Sequence, residues 1–195
     1  MKTAYLILGV ALVIAVYFAW KLTSRDAYES ATYSVIRKQG VFEIRDYPDL
    51  LMATTPTQFE SQGGDGSFMR LFGYISGANA DRQKVAMTTP VFMERESGGD
   101  PGQMGFVVPT EVAQVGAPQP SNTNVDLRNR RGGRFAVIRF SGRLSPATYD
   151  NAERQLREWM SGEGLTADAT TEAAGYDAPW TPGPFRRNEL LIRFK

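Results

Sequence analysis

The stretch RLFGYISGANADRQKVAMTTPV, from Arg70 to Val91, joins a predicted helix to a predicted strand. Apolar residues recur at the spacing of one helix face from Phe68 to Ile75, and Gly77 supplies a C-terminal stop. Lys84 to Glu94 alternates as a strand does and is interrupted by a proline. Such an apolar helix face usually packs on a sheet, although it can also line a ligand cleft. The face comprises Phe68, Leu71, Phe72 and Ile75.

Further strands are predicted on both sides of this stretch, and a second helix begins at Ser145 and Pro146 and ends at Gly162. The Gly132-Gly133 pair predicts a hairpin between the strands beside it. The order β-β-α-β-β is followed by β-β-α-β, which predicts an α+β fold with a curved antiparallel sheet, two helices and an internal repeat. The other predicted strands are Tyr33–Lys38, Phe42–Arg45, Leu50–Gln58, Met104–Pro109, Val125–Arg130, Arg134–Phe140 and Glu189–Phe194.

Composition excludes several kinds of chemistry. The 195 residues include 22 basic and 21 acidic side chains, a balance that argues against nucleic acid as a partner. Cysteine and histidine are both absent, so the chain has no thiolate nucleophile, no disulfide and no Ser-His-Asp arrangement. The chemistry that remains is acid–base work by carboxylate, lysine or tyrosine groups, or metals bound by oxygen ligands. We predict no metal site and no catalytic residue, and we expect a binding protein and not an enzyme.

The N-terminal region contains 17 residues without a charge, from Ala4 to Trp20, between Lys2 and Lys21. A helix of that length rises about 26 Å, close to the thickness of a bilayer core. The sequence predicts a single-pass transmembrane anchor over residues 1–22, a linker over 23–32 and a folded domain over 33–195. The short positive N-terminus favours a domain outside the cytoplasm, although Lys21 and Arg25 oppose this orientation. A cleaved signal peptide is the alternative.

Five motifs follow one another along the domain with a characteristic order and spacing. In that order and spacing they resemble the SOUL family of haem-binding proteins, over nearly all of residues 33–195. The resemblance implies a distorted antiparallel barrel of eight strands with two helices and a pseudo-twofold internal repeat. It also implies the binding of haem or a related tetrapyrrole in an apolar cleft beside the first helix. The motifs are FEIRDYP (42–48), RLFGYISGAN (70–79), KVAMTTPV (84–91), GFVVP (105–109) and YDAPWTPGPFRRNELLI (176–192).

The absence of histidine restricts how haem could be held. Of the modes attributed to the family, the one that carries over uses apolar contact and basic groups near the propionates. The resemblance suggests Met69, Arg70, Tyr74 and Met87 as cofactor-binding residues. Methionine and tyrosine can ligate haem iron in other proteins, and an arginine can hold a carboxylate in a bidentate pair. The expected partner is haem or another planar apolar anion, reversibly bound.

Two alternatives remain open. Arg128, Arg130, Arg131 and Arg134 cluster around the predicted hairpin and could contact a partner, in which case the chain is an interaction module at a membrane. Charge on an exposed edge strand more often serves to block further strand pairing. Glu189 could act as an acid or base in the cleft, because burial raises the pKa of a carboxyl group. Such a residue more often pairs with an arginine.

Overall fold

The computed structural model describes Gly9 and residues 28–61, 63–95, 101–178 and 180–195. The predicted anchor lies, apart from Gly9, outside these residues. In the part of the chain that is described, no helix has the length and apolar character needed to cross a membrane. Two residues of the predicted linker form a short strand, and Ala31 after them is buried.

The described residues form eleven strands and three α-helices. The helices are α1 (Ser67–Ile75), α2 (Thr110–Val115) and α3 (Pro146–Gly162). Short 3-10 helices span Phe59–Ser61 and Gly183–Phe185. The strands are β1 (Glu29–Ser30), β2 (Ser34–Gln39), β3 (Phe42–Tyr47), β4 (Leu50–Thr57), β5 (Thr88–Thr89), β6 (Val91–Glu94), β7 (Gly102–Val107), β8 (Asp126–Arg130), β9 (Gly133–Phe140), β10 (Ala167–Gly175) and β11 (Asn188–Phe194).

One large antiparallel sheet contains nine of the strands, in the order β2-β3-β9-β11-β10-β6-β7-β4-β8. The remaining two, β1 and β5, pair in parallel. Within the described residues β2 and β8 each have a neighbour on one side only, so the sheet is open and the predicted closed eight-stranded barrel is wrong. The prediction of two helices is also incomplete, because α2 was not expected.

The predicted hairpin between β8 and β9 is wrong as well. In the described sheet β8 pairs with β4, whereas β9 pairs with β3 and β11. The residues between β8 and β9 pack against the connection from β3 to β4, where the Gly132 N–H donates to Asp49 Oδ1 at 2.7 Å. A Cβ on Gly132 would lie 2.4 Å from the Tyr47 carbonyl oxygen. Glycine is thus required here for close backbone approach and not for a hairpin turn.

The sheet order is symmetric. The unit β3-β4-α1-β6-β7 corresponds to β8-β9-α3-β10-β11, and exchanging the two units reverses the order of the eight strands from β3 to β8. Strands β6 and β10 pair at the centre of this arrangement. The two short connections at 48–49 and 131–132 also correspond, and they are in contact. The topology therefore has the internal repeat that the order of elements suggests.

Helices α1 and α3 lie on the same face of the sheet, which we call the outer face. The large core cluster joins Leu71 and Tyr74 of α1 to Leu156 and Met160 of α3. The buried face of α1 is rotated from the predicted one, because Phe72 is exposed and Tyr74 is buried. Tyr74 can occupy the core because its hydroxyl donates to the Pro118 carbonyl at 2.9 Å.

The two long helices begin in different ways. Ser145 caps α3, where its hydroxyl and that of Thr148 form a reciprocal capping box, and Pro146 takes the first position. At α1, Gly66 takes the cap position in a left-handed conformation with φ +84°. Ser67 is the first helical residue, and its hydroxyl bonds with that of Thr57 at 2.9 Å.

Candidate ligand-binding cleft

A cleft of about 350 Å³ opens on the outer face between α1 and the end of β10. Helix α1 supplies one wall, the segment leading into β6 supplies another, and the chain after β10 closes the third side. Its lining is almost entirely apolar or aromatic. The lining residues are Tyr28, Phe68, Met69, Phe72, Met87, Thr89, Val91, Gly175, Tyr176, Asp177, Ala178 and Trp180.

The helical wall consists of the side of α1 that does not contact the sheet. Successive residues of a helix are about 100° apart, so burying Leu71 turns Phe68 and Phe72 toward the cleft. The two rings stack with centroids 6.3 Å apart. Phe68 also meets Phe106 of β7 edge to face at 5.3 Å. These contacts hold a flat aromatic wall in place before any ligand binds.

The floor of the cleft is formed at a glycine, which has no side chain to fill the space above it. Gly175 ends β10, where it pairs with Val91 on one side and Asn188 on the other. A Cβ at this position would have Met93 Cε as its nearest neighbour, at 3.8 Å. The space above Gly175 is therefore free for a ligand.

The cleft offers little charge to a ligand. Among its described lining residues Asp177 is the only charged one, and its carboxylate accepts from the Arg187 backbone N–H at 2.5 Å. The Tyr176 hydroxyl donates to Glu189 Oε2 at 2.9 Å. Burial raises the pKa of Tyr176, so this phenol stays protonated. The polar side chains around the cleft are thus largely hydrogen-bonded to other groups of the protein.

The structure brings two of the four predicted binding residues together in the cleft, Met69 and Met87. Arg70 lies elsewhere, because its guanidinium donates to Thr55 Oγ1 at 2.9 Å and to the Pro56 carbonyl at 2.6 Å. Tyr74 is in the core, with 1 % of its surface exposed. These two side chains do not reach the cleft.

Several lining residues were not predicted as binding residues. For Phe72 the sequence favoured packing on the sheet over lining a ligand cleft, and in the structure it stacks with Phe68 in the wall of the cleft. Gly175 belongs to a strand that we did not predict. Trp180 was noted from the sequence only within the motif 176–192, and its large aromatic ring was the signal that could have identified it. Tyr28 falls in the predicted linker.

The opposite face of the sheet, here called the inner face, carries a buried ionic network. Arg45 donates to both oxygens of Glu189, at 2.6 and 2.9 Å, and Arg187 donates to Glu189 Oε1 at 2.6 Å. Burial alone would raise the pKa of the Glu189 carboxyl group, but the two guanidinium groups lower it below its usual range. Glu189 is therefore held ionised, which is unsuited to a general acid.

The arginines of the predicted cluster differ in burial. Arg130 is largely buried and donates to Glu172 Oε2 through Nε at 2.9 Å. Its guanidinium also lies 4.4 Å from the ring centroid of Phe135. Arg128 and Arg131 are exposed on and beside β8, an edge strand in the described sheet. Arg128, Arg130 and Arg131 line one pocket beside this strand, and their charge there fits the protection of an edge.

The open antiparallel sheet, the two helices on its outer face and the apolar cleft between them define an α+β domain suited to binding a small apolar ligand. Residues 28–193 match the family model described as SOUL heme-binding protein. The chain belongs to this family.

Two vertebrate proteins are similar to this chain over most of their length. Heme-binding protein 1 of Xenopus tropicalis is 25% identical over 161 residues, which cover 78% of this chain and 84% of that protein. Heme-binding protein 2 of Mus musculus is 28% identical over 151 residues, with 72% of each chain covered. The fold is also similar to that of a hydrolase from Listeria innocua, with a TM-score of 0.57 at 15% identity over 82% of this chain and 94% of the other. At that identity the similarity concerns the fold alone.

Proposed function

We propose that this chain binds haem or a related planar tetrapyrrole, reversibly and without histidine ligation, in the cleft beside α1. The observation that carries the proposal is the apolar slot of about 350 Å³ with a flat aromatic wall. Burial of apolar surface contributes about 25 cal/mol per Å², so a large flat ligand gains most of its affinity from such walls. The vertebrate relatives named for haem binding support the choice of ligand.

The residues present fit the apolar part of haem. Phe68 and Phe72 offer a flat surface to the macrocycle, and Met69 and Met87 bring the thioether groups found in some haem sites. When bound, haem would supply an iron centre, for which the described lining offers methionine sulfur and no imidazole. No arginine or lysine occurs among the described lining residues, so the lining would provide no cationic partner for the propionates.

We further propose that the domain is tethered to a membrane through residues 1–22, in a single pass and with the domain outside the cytoplasm. The support is the uncharged run from Ala4 to Trp20, flanked by lysines. A tethered domain of this kind would hold its ligand at the membrane for buffering, delivery or sensing.

The test is a titration of the full chain in detergent with haem and, separately, with iron-free protoporphyrin. If apolar contact dominates, both ligands bind with similar affinity, and haem shows a shifted Soret band. Binding of haem alone would point instead to iron ligation as the main contribution. An unchanged Soret band at micromolar haem would reject the proposed ligand.

A further inference from the structure

We infer that the mouth of the cleft lies against the surface of a lipid bilayer, so that an apolar ligand passes between the bilayer and the cleft without crossing bulk water. This inference rests on the proposed function for the identity of the ligand and for the membrane tether. The contact between the cleft and the membrane can be tested separately.

The first observation is a ring of exposed apolar side chains, which we call the lips. Tyr28, Met69, Phe72 and Trp180 have 41%, 62%, 44% and 71% of their surfaces exposed, and all four line the same cleft. Single exposed apolar residues are common, but a group around one opening marks a contact with a membrane, a ligand or a partner. Tyrosine and tryptophan rings favour the interface between lipid and water.

The second observation is where the chain enters the domain. Tyr28, itself one of the lips, follows the last residue of the uncharged run, Trp20, after residues 21–27. Eight extended residues reach at most about 28 Å. A globular domain of this length is about 40 Å across. A tether this short, attached at one lip, favours the side of the domain that carries the cleft as the side nearest the bilayer.

The third observation is the distribution of charge near the lips. The carboxylate of Asp177 in the cleft accepts a hydrogen bond from the Arg187 backbone N–H at 2.5 Å. Two basic residues lie near the cleft: Lys84 is three residues before Met87, which lines the cleft, and Arg186 Nε donates to the Thr181 carbonyl at 2.7 Å, next in sequence to Trp180. Lysine and arginine next to an apolar surface suit anionic head groups. We therefore assign the lips to a bilayer and not to a protein partner.

The experiment uses the full chain in lipid nanodiscs with brominated lipids, which quench tryptophan emission on contact. The variant Trp20→Phe/Trp159→Phe leaves Trp180 as the reporter. The matched control, Trp20→Phe/Trp180→Phe, leaves Trp159, which stacks on Phe42 at 5.0 Å. Phe42 belongs to β3, four strands from β6 in the sheet order. The phenylalanine at 159 keeps the stacking partner of Phe42.

We expect bromines near the head groups to remove most of the Trp180 emission and to leave the Trp159 emission nearly unchanged. Unchanged Trp180 emission between plain and brominated lipid would overturn the inference, as would equal quenching of Trp180 and Trp159. A haem titration of the same samples separates the two proposals. Haem binding without quenching rejects the membrane contact alone, whereas quenching without haem binding rejects the proposed ligand alone.

Discussion

Arg45 and Glu189 face each other across β9 on the inner face of the sheet and form a two-point ion pair with N–O distances of 2.6 and 2.9 Å. Their side chains are 1% and 0% exposed. Arg45 also donates to Glu43 at 2.7 Å, and its guanidinium lies over the Tyr33 ring at 4.2 Å. The pair thus links the first strands of the domain to its last one.

We expect Glu189→Gln to lower the free energy of unfolding by about 3 kcal/mol, because it leaves the buried Arg45 without its main counter-charge. Urea denaturation at neutral pH measures the change. Glu163→Gln is the matched control, since Glu163 pairs with Arg37 at 2.6 Å on the surface. That substitution should change stability by less than about 1 kcal/mol. Equal losses of stability in the two variants would show that the buried pair stabilises the fold no more than the surface pair does.

The same ion pair should make the free energy of unfolding depend on pH in the acidic range. Because the pKa of Glu189 is lowered in the folded state, its contribution is complete above the usual glutamate pKa of about 4.3 and is lost as the pH falls through the lower folded value. The difference in stability between the parent chain and Glu189→Gln should therefore shrink as the pH falls below about 4.3. Parallel urea titrations from neutral to acidic pH measure it. A constant difference would contradict the lowered pKa.

Filling the floor of the cleft should block the ligand without disturbing the fold. We expect Gly175→Val to weaken haem binding by about tenfold or more, because its side chain occupies the space above β10. Thermal unfolding should show a nearly unchanged protein, since the nearest neighbour is the flexible end of Met93 at 3.8 Å. Undiminished haem affinity in a folded variant would place the site elsewhere.

The aromatic wall should contribute to affinity directly. Phe72→Ala removes apolar contact and should raise the haem Kd by about tenfold. Ile36→Ala is the control, because Ile36 is similarly exposed on β2 and does not line the cleft. Haem titrations of the two variants under identical conditions give the comparison. Indistinguishable dissociation constants would argue against a contribution of the aromatic wall to haem affinity.

Gly132→Ala should destabilise the domain by about 3 kcal/mol, because a Cβ there would lie 2.4 to 2.7 Å from backbone atoms of residues 47–49. Backbone atoms cannot move aside as a flexible side chain can. Gly162→Ala, in helix α3, has no atom within 4 Å of the new Cβ and should be neutral or slightly stabilising. Chemical denaturation compares the two variants. Similar stabilities would mean that the connections at 48–49 and 131–132 can move apart to admit the new Cβ.

Most strands were predictable because they alternate apolar and polar residues or contain β-branched and aromatic ones. Strand β10 (Ala167–Gly175) was missed because its sequence, ADATTEAAG, is rich in alanine and has neither an aromatic nor a large aliphatic residue. It nevertheless lies between β11 and β6 near the middle of the sheet, where Ala173 and Ala174 are fully buried. Tertiary packing favours small residues at these positions, and the local β-propensity of the sequence does not reveal such a strand.

The location of the candidate cleft beside α1 was predictable from the sequence, but most of its lining residues were not. The position of Met69 and Met87 beside the first helix agreed with the cleft, whereas Arg70 and Tyr74 were assigned without knowing which face of α1 meets the sheet. That face depends on partners distant in sequence, such as the Pro118 carbonyl that bonds to Tyr74. The membrane anchor stays a prediction.

The ionic network and the cleft lie largely on opposite faces of the sheet, with Tyr176 connecting them, and this arrangement has an evolutionary consequence. Residues that hold the strands together, such as Arg45 and Glu189, are distinct from those that would touch a ligand, such as Phe72 and Trp180. Substitutions around the opening can therefore alter which molecule is accepted while the scaffold persists. Such independence lets one architecture acquire new specificities one side chain at a time.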